Sequence, residues 1–88
     1  MQENIIKSYE YNRGLFLHWV RMAGQDIGKW VDEKECIRSL STASEYYGRA
    51  RMCAQILYHE FGLDDCMQEI RNMTNVLEVA RERVIKAI

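Results

Sequence analysis

Proline is missing from this 88-residue chain, and with it the most frequent interruption of a helix. Charge of one dominant sign is missing too. The 12 Lys and Arg side chains stand against 13 Asp and Glu, for a formal net charge of −1. Dedicated nucleic-acid binders usually carry a basic excess and duplex mimics an acidic one, so the balance turns attention to a protein partner. No long apolar run is present, and the opening Met1-Gln2-Glu3 lacks a basic stretch. Neither a secretory leader nor a membrane span is expected, and the expected location is cytoplasmic. The 3 cysteines, Cys36, Cys53 and Cys66, form no C-x-x-C pair and leave an odd thiol. They read as reduced thiols packed as small hydrophobes. Alternation with period two is nowhere sustained, which argues against strands.

What is present is apolar spacing at helical intervals. The composition is 48% hydrophobic and 10% aromatic, that of a chain able to build one core. In the first segment Ile5, Tyr9, Phe16, Val20, Ala23, Ile27 and Val31 fall on one arc, with Trp19 and Trp30 at its edge. Gly14, Gly24 and Gly28 each weaken a helix there by about 1 kcal/mol relative to alanine, so an end or kink is expected between Gly24 and Gly28. Asp32 followed by Glu35 has the form of a capping box, with Val31 and Cys36 as its hydrophobic staple. From there Cys36, Leu40, Ala43, Tyr47, Ala50, Ala54, Leu57 and Phe61 repeat at intervals of four and three. A rival break lies at Thr42 and Glu45, but the apolar phase passes through residues 40–47 without slipping, which favours one continuous helix. Gly62 is a stop; Leu63, Asp64 and Asp65 then read as staple, N-cap and first-turn acid of a third helix. Its face is Cys66, Ile70, Met73, Leu77, Ala80, Val84 and Ile88. Glu3–Lys7, Glu45–Arg49 and Glu82–Lys86 are spaced for surface pairs. The fold expected is an all-α bundle of three helices, about residues 3–27, 33–61 and 65–87, in one domain over residues 1–88. The second and third helices form an antiparallel hairpin and the first packs across it.

Two helices carry apolar residues off their main face. Tyr11, Leu15, His18 and Met22 form a second stripe on the first helix, and Met52 and Ile56 lie opposite the main seam of the second. A helix apolar on every side is normally enclosed on every side, so completion of the bundle by a homodimer or a tightly held partner is expected.

Chemistry is poorly represented. His18, His59, Glu60 and the cysteines are the only plausible metal ligands, and none stands in a close pair. His59 and Cys66 bracket Gly62, yet no oxyanion hole accompanies them, and no glycine-rich strand-to-helix loop exists to hold phosphate. No enzyme activity, metal or cofactor is expected. The leading expectation is a small non-enzymatic interaction module: an adaptor, chaperone or inhibitor, of which a phage or mobile-element accessory protein blocking a host system is one concrete form. Its partner-binding residues are Tyr11, Arg13, Leu15, His18, Met22, Arg49, Met52 and Ile56, with Trp30 a further site for substitution. The alternative is a nucleic-acid-binding regulator using Arg49 and Arg51 with Tyr46 and Tyr47 beside them. Helical projection divides that cluster: Tyr47 falls in the seam, Tyr46 and Arg51 on its borders, and Arg49 beside Glu45. Gly48 lies off the seam, where a missing side chain is expected to admit another helix.

Overall fold

A computed structural model describes residues 2–26 and 33–87, with side chains for residues 2–23 and 34–86. The described residues form three α-helices and no strand: α1 (Gln2–Asp26), α2 (Glu33–Phe61) and α3 (Asp65–Ala87). The expected glycine at 28, the Asp32 cap with its Val31 staple, the core positions Ile27, Val31 and Ile88, and Trp30 lie outside the described residues.

Helix α2 runs unbroken through residues 40–47. Thr42 caps no new helix there; its hydroxyl donates back to the Arg38 carbonyl at 2.9 Å, which a helix interior allows. The stop falls at Gly62, where φ is +70°, a left-handed conformation that only glycine adopts at little cost. Its N–H donates to the Tyr58 carbonyl at 3.0 Å and that of Leu63 reaches the Leu57 carbonyl at 3.1 Å, so the helix end leaves these acceptors satisfied. The Asp64 carbonyl then accepts the first turn of α3 from Met67 and Gln68.

The core follows the apolar stripes. Tyr9, Phe16 and Ala23 of α1 are buried, as are Cys36, Leu40, Ala43, Ala50, Ala54 and Leu57 of α2, and Ile70, Met73, Leu77, Ala80 and Val84 of α3. Phe61 departs from the expected seam and is 40% exposed. It is the last residue of α2, and contacts nearer the middle place it level with the first described residues of α1.

Helices α1 and α2 approach each other most closely and over the greatest length, α2 and α3 less, and α1 and α3 least. The Cys53 thiol lies 3.6 Å from the Ser8 hydroxyl, and the rings of Phe16 and Tyr47 are 6.0 Å apart. Later residues of α1 thus meet earlier residues of α2. On the other flank the Tyr47 hydroxyl meets that of Thr74 at 2.6 Å, and Arg81 donates to the Ser44 hydroxyl at 3.0 Å. Buried polar groups find local partners: Asn12 donates to the Ser8 carbonyl at 2.8 Å, and among the described residues no buried side-chain nitrogen or oxygen lacks a hydrogen bond.

Candidate interaction surface

The register of α1 on α2 decides which surface residues are neighbours. With Ser8 beside Cys53 and Phe16 beside Tyr47, Tyr11 comes level with Met52, Leu15 with residues 46–49, and Ile56 with the first turns of α1. Helical spacing turns Tyr11, Leu15, His18 and Met22 of α1, and Arg49, Met52 and Ile56 of α2, to the side away from α3. Seven of the eight residues singled out from the sequence therefore share one face. Tyr11 (66% exposed) and Met52 (65% exposed) are its most open apolar side chains, Ile56 is exposed, and Leu15 and Met22 are half-buried. His18 stands exposed with its ring edge-on to Trp19, centroids 5.4 Å apart. Met52 and Ile56 also border a shallow hollow of about 320 Å³ with Gln55, His59 and Glu60.

Arg13 is the residue placed elsewhere. Its guanidinium donates to the Glu69 carboxylate of α3, to which the Tyr9 hydroxyl also donates at 2.7 Å. The same guanidinium lies over the Tyr9 ring, 5.5 Å from its centroid. Burial and then the Glu69 carboxylate push the Tyr9 hydroxyl above its ordinary value. Burial works against the charge on Glu69, but the hydrogen bonds from Tyr9 and Arg13 outweigh it and hold that carboxyl below the usual range. One turn earlier, burial and the same carboxylate push the Cys66 thiol up, which leaves it a poor nucleophile. This cluster ties α1 to α3. No pattern within one helix foretells it, because Tyr9 and Glu69 lie sixty positions apart.

The aromatic and arginine cluster of residues 46–51 is divided among three environments. Tyr47 is half-buried, its ring against Phe16 and its hydroxyl on Thr74. Arg49 lies over the Tyr46 ring at 5.4 Å and reaches Glu45 at 3.4 Å. Of the three surface pairs expected, only this one forms among the described residues. Arg51 is exposed on the α3 side of α2. A β-carbon on Gly48 would meet nothing within 4 Å, so among the described residues no other helix approaches there.

Among the described residues no three His, Cys, Asp or Glu side chains converge on a metal position, and no helix is long and apolar enough to cross a membrane. No known protein family matches this chain, and no curated protein or solved structure matches it either.

Proposed function

We propose that the chain is a small non-enzymatic interaction module, an adaptor or inhibitor acting by surface contact. In this reading α2 and α3 form an antiparallel hairpin, and the shared outer face of α1 and α2 seats a second copy. The observation that carries the proposal is the run of apolar side chains on that face: Tyr11, Leu15, Met22, Met52 and Ile56 stand on two adjacent helices, with Arg49 the charged member among them. From the level of Ile56 to that of Met22 the face is about 24 Å long at 1.5 Å per residue. Two helix widths of about 10 Å give a flat footprint of about 500 Å², and side-chain relief brings this towards the roughly 600–800 Å² per partner of a small stable interface. Its charges also suit self-pairing. Glu45 and Arg49 neutralise one another, and a two-fold axis brings each towards the opposite charge of the partner copy.

Light scattering at tens of micromolar tests this reading. The expected mass is twice 10.4 kDa. The double substitution Tyr11→Asp, Met52→Asp is expected to give the single-chain mass with an unchanged circular dichroism spectrum. A single-chain mass for the unsubstituted protein would overturn it.

A further inference from the structure

The opposite flank of α2 carries arginines that form no ion pair among the described residues. Between the first half of α2 and the last turns of α3 lies a groove of about 260 Å³. Its floor is Leu40 and Val84, both buried, and its rims are Ile37 (49% exposed) and Ile85 (72% exposed). At one end Arg81 is steadied by the Ser44 hydroxyl and has no carboxylate within ion-pairing distance among the described residues. The Tyr47–Thr74 contact lies further along the same two helices. One turn past it stand Arg51 on α2 and Arg71 on α3, both exposed and likewise without an ion pair among the described residues. The course between Arg81 and Arg51 passes Gly48, whose missing side chain leaves open space. The acids facing this course are Glu78 on the α3 rim and, beyond Arg71, Asp64 and Asp65.

We propose that this groove is a second docking site, which takes an amphipathic helical segment of another protein with an apolar anchor and carboxylates. Among the described residues the ion pairs are Arg13 with Glu69 and Arg49 with Glu45. Here Arg81 is left open beside an apolar floor, with Arg51 and Arg71 open further along the same two helices, in a chain whose net charge is −1. Spacing defines the ligand further. Ile37, Ser44 and Arg51 lie seven residues apart on α2, and Arg81 sits at Ser44. Each step is about 10 Å. A helix laid along the groove matches it with an apolar residue at i, a carboxylate at i+7 and another at i+14. The apolar anchor enters between Ile37 and Ile85, and the carboxylates meet Arg81 and Arg51. Phosphate chains seek cations but gain nothing from an apolar floor, so the groove favours a protein ligand over a nucleic acid.

The probe is a fluorescein-labelled helical peptide with leucine at i and glutamate at i+7 and i+14, read by fluorescence anisotropy. A peptide with lysine at the two glutamate positions and a short poly-dT oligonucleotide are run beside it. Binding of the glutamate peptide is expected, with a loss of about tenfold or more for Arg81→Glu and for Ile85→Asp, since each removes one side of a contact. Circular dichroism confirms that each variant is folded, and Arg81→Gln serves where the charge reversal is not. The Tyr11→Asp, Met52→Asp protein is expected to keep the peptide, which separates this site from the α1–α2 face. Absence of glutamate-peptide binding, equal binding of the lysine peptide, or oligonucleotide binding abolished by Arg51→Glu with Arg81→Glu would overturn the proposal.

Discussion

Helix α1 is held to α2 and to α3 by different means, and the contrast shows two ways of securing one helix. Towards its neighbours α2 presents Ala43, Ala50 and Ala54, all fully buried, and it is with α1 that α2 makes its closest and longest approach. Small side chains let two backbones come near, and many weak dispersion contacts then accumulate without a specific bond. Between α1 and α3 contact is least, and the Glu69 carboxylate, taken by Tyr9 and Arg13 together, supplies the directional tie. The first contact depends on shape and the second on charge. They should therefore respond to different perturbations.

Overfilling the alanine seam is the stronger test. Ala50→Leu inserts a branched side chain where no exposed space remains, and is expected to destabilise the fold by about 1–3 kcal/mol, the usual cost of overpacking. Urea denaturation followed at the helical signal measures it. A neutral result would mean that α1 and α2 are not pressed together at that level, and the contrast with the α3 side would disappear.

Removing the charge of Glu69 tests the other contact. Its folded-state pKa lies below the ordinary 4.5, so the stability it contributes is present above that value and lost as pH falls through the folded pKa. The Tyr9 hydroxyl is raised above 10.0, so its contribution is present below 10.0 and lost as pH rises towards the folded value. Thermal unfolding across pH should show a decline on each side. Glu69→Gln is expected to remove the acid decline and only reduce the alkaline one, since burial is the larger cause of the Tyr9 shift. Arg13 and Glu69 are each more than a third exposed, so the loss at neutral pH should be about 1 kcal/mol or less after solvent screening. An acid decline that survives Glu69→Gln would assign it to other carboxylates.

These two contacts also differ in how far they can be read from sequence. The seam is legible because helical periodicity reports which side of a helix is enclosed, and the alanines fall on that side whatever the neighbour. The unbroken apolar phase likewise carried α2 through Thr42, where local capping signals competed. Periodicity does not report where a neighbour ends, so Phe61 appears on the stripe yet emerges at the end of the bundle. Nor does it show which helix a long side chain reaches. Arg13 follows Tyr11 by two residues, which turns it to the opposite side of α1, and its guanidinium reaches a carboxylate on α3. The outer face of α1 and α2 consists of two stripes, each legible on its own helix. Their adjacency follows only from the Ser8–Cys53 and Phe16–Tyr47 contacts.

The smallest effect concerns the side of α2 that belongs to neither contact. Gly48 sits within a 29-residue helix, and a β-carbon there meets nothing within 4 Å. Its backbone has no positive φ to relieve, unlike Gly62. Alanine at position 48 therefore costs nothing in the folded state and narrows the freedom of the unfolded chain, so Gly48→Ala should stabilise by about 0.5–1 kcal/mol. The opposite sign would require a helix pressed against position 48, either in this chain or in a bound copy. Denaturation midpoints measured at two protein concentrations separate those cases, because only a bound copy makes the penalty grow with concentration. A gain of stability independent of concentration would place Gly48 in open solvent, outside the surface where two copies meet, and keep the α1–α2 face and the α2–α3 groove as separate sites on either side of it.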